Sequence, residues 1–142
     1  MNLKNALLLQ RRVSFMTYRC PICGKNFKND EPFDLHEVMI TKGDVSKCSK
    51  DIREMINSPF NCVNVHSQNC HSYAQHSDFG KELCVQQILK FEGVTRVLMW
   101  LRQFGELLKT NTAENEIRLV NRILENQLEF NEEHLKCLQN YK

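Results

Sequence analysis

The chain has 142 residues, of which 42% are hydrophobic and 25% charged, with a formal net charge of +2. These values suit one compact domain, or a small domain with an appendage, and exclude a disordered chain. No apolar run reaches transmembrane length, and Leu7-Leu8-Leu9 is too short for a secretory core and is followed, not preceded, by basic residues, so the expectation is a soluble, cytoplasmic protein without a membrane span.

In chain order, residues 1–15 read as an N-terminal arm or short helix. Cys20-Pro21-Ile22-Cys23-Gly24 follows, two thiolates three residues apart on a turn loosened by glycine, which is one half of a zinc knuckle. The charge is uneven here. Through Asn29 there are six Lys or Arg and no acid, whereas from Thr110 onward six acids face four bases. Arg19, Lys25 and Lys28 surround the first Cys pair and are candidates for facing phosphates. A strand is expected around Phe33 to Ile40, a loop at Lys42-Gly43-Asp44 and a helical segment near Lys50 to Ile56. Asn57-Ser58-Pro59 breaks the chain before a second strand from Asn61 to His66. A helix starting near Asn69 carries His71 and His76.

His66 and Cys70 can complete a tetrahedral zinc site with Cys20 and Cys23, and Cys62 is a rival ligand. Seven cysteines without a secretory signal favour a reducing compartment and metal binding over disulfides. Cys84 and Cys137 fall in helical patterns and read as small core residues. Beyond Gly80, Leu83, Cys84, Ile88 and Phe91 recur at helical spacing, with Gly93 as the stop. Val94, Val97, Leu98, Leu101, Phe104 and Leu108 continue in steps of three and four. Asn111-Thr112-Ala113-Glu114 offers a cap, and Ile117, Val120, Leu124, Leu128, Leu135 and Leu138 form a second stripe. Residues 93–142 therefore read as a helical hairpin, packed on the preceding body or used for self-association or docking of a protein partner. Trp100 lies slightly off the stripe, at a core edge or an interface.

The residues from Tyr18 to Phe91 resemble the HNH endonucleases, also called ββα-metal or His-Me finger nucleases, in their zinc-stapled branch. In that branch an apolar strand carries a polar residue, an apolar residue and two adjacent catalytic-type residues, here Asp34-Leu35-His36-Glu37-Val38. An Asn opens the next short strand, here Asn61, and a His directly follows the last zinc ligand, here His71. Two features depart from the pattern. The second ligand pair is His66-x-x-x-Cys70 instead of Cys-x-x-Cys, and Glu37 stands where the general-base His is usual.

The resemblance implies an α+β fold, with a small zinc-stapled nuclease domain over 16–92 ahead of the hairpin. It also implies metal-dependent hydrolysis of DNA phosphodiester bonds by a free-standing enzyme of the kind phages encode, acting in a bacterial host cell. A catalytically degenerate nucleic-acid-binding module, or an interaction protein using its helices, is the alternative. His36, Glu37, Asn61 and His71 would be the catalytic group, with a structural Zn²⁺ at the Cys/His cluster and Mg²⁺ or Mn²⁺ held by His36 and His71. Strand alternation places Asp34 on the face of His36, where it would orient that ring. Glu37 would act as base or as a further metal ligand, with Asp34 or His76 in support.

Overall fold

The computed structural model describes residues 19–108 and 110–126, and they form an α+β fold. Two strands, β1 (Phe33–Glu37) and β2 (Cys62–His66), make a small antiparallel sheet. The register pairs Phe33 with His66, His36 with Val63 and Glu37 with Cys62. Five helices accompany the sheet among the described residues: α1 (Lys50–Met55), α2 (Asn69–His76), α3 (Asp78–Glu92), α4 (Val94–Leu108) and α5 (Thr112–Asn126).

Every residue of β2 is buried, whereas β1 is half-buried along its length. The asymmetry follows from the packing. Both strands are sheet edges, but α2 and α3 lie against β2, while no helix packs as closely on β1. The strand expected from Phe33 to Ile40 stops at Glu37 because Asn61 takes over the backbone beyond it. Val38 N donates to the Asn61 carbonyl (2.8 Å). The Asn61 side-chain oxygen accepts from Met39 N (3.0 Å) and Ile40 N (2.9 Å), and its amide nitrogen donates to the Ile40 and Ile56 carbonyls (2.7 and 2.9 Å). Asn61 thus closes the long connection between the strands, which contains α1, by satisfying buried peptide groups that no strand partner reaches.

α2 and α3 meet at Ser77, whose N–H ends α2 on the Tyr73 carbonyl and whose hydroxyl accepts from Gly80 N (3.1 Å) to cap α3. The two helices cross so closely that a Cβ on Gly80 would lie 2.6 Å from the Tyr73 carbonyl oxygen. α3 ends on Gly93 at φ 89°, as the sequence predicts.

Of the hairpin expected over 93–142, the described residues show two contacting helices, α4 beginning with the first stripe at Val94 and α5 beginning at Thr112, within the expected cap; residues 127–142, with Leu128, Leu135, Cys137 and Leu138, and the arm 1–15 lie outside the described residues. α4 and α5 are not a separate layer. Val97, Trp100, Leu101, Phe104, Leu119, Val120 and Ile123 join one continuous core with Ile22, Val63, Val65, Val85 and Ile88. Trp100 belongs to that core, its ring 4.8 Å from that of Phe104. Two ion pairs tie α5 back to α3: Lys81 with Glu116 at 2.6 Å and Arg122 with Glu82 at 3.0 Å. No described helix is long and apolar enough to cross a membrane.

Candidate metal centre and histidine cleft

Cys20, Cys23, His66 and Cys70 bring their ligand atoms within 4.8 Å of one another, the one such cluster among the described residues. Each half is built by local chain chemistry. In the first, Gly24 at φ 73° lets the chain reverse, with Gly24 N donating to the Cys20 carbonyl and Cys20 N to the Lys25 carbonyl, both at 2.9 Å. In the second, His66 ends β2 and Cys70 lies in the first turn of α2, where backbone N–H groups favour a thiolate. Between them Gln68 adopts φ 69°, ψ −108°, the one positive φ among the described non-glycine residues. That turn brings imidazole and thiol to the same point.

Zn–S bonds of about 2.3 Å and Zn–N bonds of about 2.0–2.1 Å require ligand–ligand edges of roughly 3.4–3.8 Å in a tetrahedron. Cys23 Sγ lies 3.3 Å and Cys70 Sγ 4.0 Å from His66 Nδ1. Three thiols and one imidazole, largely buried, form a donor set suited to zinc. The protonation of the thiols points the same way. Thiol hydrogen bonds from Cys20 and then Cys70 hold Cys23 far down, as a thiolate. Burial, with the neighbouring Cys23, pushes Cys20 up to about 11. Cys70 is driven up by its bonds to Cys20 and Cys23 and by burial. A dication bound here would favour the thiolate form of all three cysteines and so displace their protons.

The outer face of the cluster has its own residues. Phe27 covers the His66 ring, centroids 4.5 Å apart. Glu31 Oε1 stands 2.8 Å from His66 Nε2, though out of line for a hydrogen bond. With Nδ1 facing the Cys23 and Cys70 sulfurs, a carboxylate on the outer nitrogen is the usual support for a ligating histidine. Cys62 is not part of the cluster. It sits at the opposite end of β2, and its thiol donates to the Ile56 carbonyl (3.3 Å). Cys84 is a fully buried core residue whose thiol is pushed up by burial.

Beside the cluster, β1 and α2 wall a cleft of about 530 Å³ lined by Leu35, His36, Glu37, Lys42, His71, His76 and Lys81 among others. The rings of His36 and His71 are 5.2 Å apart at 67°. Asp34 does not orient His36, as expected from strand alternation; its Oδ2 lies 2.7 Å from His71 Nδ1. Asp34 pairs with Val65, next to the end of β2, so the first turn of α2 brings His71 over it. In the tautomer with Nδ1–H donating to that carboxylate, Nε2 of His71 would be the atom left to meet a ligand. Burial, followed by the charges of His71 and Lys81, pulls His36 down to about 4, so its ring is neutral at pH 7.

Glu37 lines the cleft, but its carboxylate accepts from Lys42 N (3.2 Å). Asp34, His36 and His71 do not gather as a three-donor cluster with it among the described residues. Asn61 is fully buried, and the oxygen of its amide already accepts two hydrogen bonds, so its part is to hold the loop after β1 and not to touch metal or substrate. His76 is exposed at the cleft rim. Arg19, Lys25 and Lys28 are exposed around the knuckle. Sequence reasoning missed Glu31, Lys81 and Glu116. None has a spacing that marks it, because each reaches its partner across 35 residues. Compared with family models, curated proteins and solved structures, the chain finds no match.

Proposed function

We propose that this protein is a metal-dependent, HNH-like DNA endonuclease with a structural zinc at Cys20, Cys23, His66 and Cys70. The observation that carries the reading is the pairing of His36 and His71 in one cleft, 5.2 Å apart, with Asp34 fixing the His71 tautomer. The Cys/His cluster explains the placement: Cys70 precedes His71 directly, so pinning Cys70 to the knuckle pins the start of α2. A divalent ion at the two imidazoles would neutralise charge on a phosphodiester and acidify a bound water. Imidazole donors suit Mn²⁺ better than Mg²⁺, which prefers oxygen.

His36 offers a neutral ring at pH 7, and His71 offers Nε2. Glu37 is the candidate base once its carboxylate leaves Lys42 N. Arg19, Lys25, Lys28 and Lys42 supply exposed cations for the DNA backbone. A cytoplasmic, phage-encoded enzyme remains part of this reading. Supercoiled plasmid incubated with Mn²⁺ or Mg²⁺ tests it. Metal-dependent nicking lost in both His36→Ala and His71→Ala, with zinc content unchanged, supports the endonuclease; undiminished cutting in both variants rejects it.

A second reading, a nucleic-acid-binding module on the same fold, is favoured by the tie of Glu37 to Lys42 N. DNA binding by the wild type without cleavage under any divalent metal selects it. Self-association or partner docking through the hairpin has a local basis in exposed Met99, Leu107 and Leu124. A homodimer in sedimentation analysis, dispersed by Met99→Glu, would identify that face.

A further inference from the structure

We propose that Lys81 is the phosphate-holding cation of the histidine cleft and that Glu116, on the distant helix α5, positions it. The proposal rests on reading the cleft as the phosphodiester-cleaving centre, and it adds two residues to that site.

Lys81 lines the cleft with His36 and His71. Its Nζ lies 2.6 Å from Glu116 Oε1, and a third of its side chain remains accessible. An ammonium carries three donors, of which one serves Glu116, so donors remain for a ligand. The other charged groups of the cleft are Lys42, Glu37 and Asp78, and Glu37 already accepts from Lys42 N. That bond uses the main-chain N–H of Lys42 and leaves its ammonium exposed on the loop, whereas the Lys81 ammonium is held in place by Glu116 and its charge acts on His36 across the cleft.

Glu116 supplies the second observation. It is 7% exposed, and its Oε2 has no hydrogen-bond partner among the described residues. Burying a carboxylate for one lysine is a poor route to stability, since an apolar pair of similar size often does as well. It is an effective way to fix an ammonium on a flexible four-carbon stem. The acid comes from α5, so the hairpin reaches the cleft through a single ion pair. Phosphate oxygens would take the donors of Lys81 while the two histidines face the same group.

The test uses full-length, zinc-loaded protein and inorganic phosphate, without added divalent metal. Histidine-ring NMR follows the titration, and plasmid-cleavage kinetics run in parallel. Removing Lys81 alone would strand a buried carboxylate, so Lys81→Met is combined with Glu116→Gln, which removes both charges together. Phosphate is expected to shift the His36 and His71 ring signals in the wild type. The double variant should raise the phosphate Kd and the KM for DNA about tenfold, with zinc content and circular dichroism unchanged. Lys81→Arg should keep most of the binding. Glu116→Gln alone should raise the Kd a few-fold, since the cation stays but is no longer held.

Absence of phosphate shifts at these rings, or equal phosphate Kd and KM in wild type and double variant, overturns the proposal. The two readings separate cleanly. Lys81-dependent phosphate binding in a protein that never cuts DNA rejects the nuclease and keeps the phosphate site. Cutting whose KM ignores Lys81 does the reverse.

Discussion

His36 sets a pH dependence whose sign can be worked out. Its folded pKa, about 4, lies below its ordinary value of 6.5. The unfolded chain therefore binds more protons between those values, and stability falls as pH drops through that window. The loss should be on the order of 2 kcal/mol between pH 7 and pH 4, after discount for the ring's partial exposure. The difference in urea midpoint between wild type and His36→Gln should be constant above pH 6.5 and should shift against the wild type as pH falls from 6.5 toward 4; a difference that stays constant through that window would contradict the assignment. Asn61 is the other residue whose effect is out of proportion to its size. Asn61→Ala strands three buried peptide groups, Met39 N, Ile40 N and the Ile40 carbonyl, and leaves the Ile56 carbonyl with only the Cys62 thiol. It should cost about 3–5 kcal/mol, read as a fall in the urea midpoint, because each orphaned group carries its own desolvation penalty.

At the scale of elements, two turns decide how α2 is placed. Gln68 is exposed and holds φ 69°, ψ −108° between His66 and Cys70. A non-glycine residue there stores about 1–3 kcal/mol of strain, which glycine would not. Gln68→Gly should raise the melting temperature by a few degrees with metal content unchanged; an unchanged or lower melting temperature would show that the turn is not strained. Gly80 carries the opposite constraint. Gly80→Ala pushes a methyl into the Tyr73 carbonyl, prises α2 from α3 and should cost about 1–3 kcal/mol. Because α2 bears both Cys70 and His71, the same variant should also weaken any metal held at the cleft, measurable as a lower Mn²⁺ affinity.

Over the whole molecule, a zinc at the Cys/His cluster, together with the packing of α4 and α5, would do for this core what a larger sheet otherwise does. Two short strands bury little by themselves, and a body of this size depends on staples and packing. One zinc per chain is the expected stoichiometry by elemental analysis. Cys20→Ser combined with Cys70→Ser should lose the metal and the cooperative unfolding transition; retained zinc and an unchanged transition would remove the cluster from the account. Truncation after Phe91 removes Val97, Leu101, Phe104 and Val120, each fully buried, at about 1.5–3 kcal/mol apiece. The truncated chain should aggregate, and it should lose Glu116 from beside Lys81 as well.

The amino-acid sequence determined the parts that depend on local chemistry. Cys-x-x-Cys-Gly announces its turn, Gly93 stops a helix, and two apolar stripes foretell α4 and α5, because these patterns follow from φ preference and helical period within a few residues. Strand ends and the partners of charged groups were decided by tertiary structure. Nothing local told that Val38 to Ile40 would bond to Asn61 and leave the strand, or that Asp34 would choose His71 over His36. Nor did spacing reveal Glu31 beside His66 or Glu116 beside Lys81. Those pairs exist because a buried polar group takes whichever partner the fold brings within about 3 Å, and that choice is made only when distant elements pack.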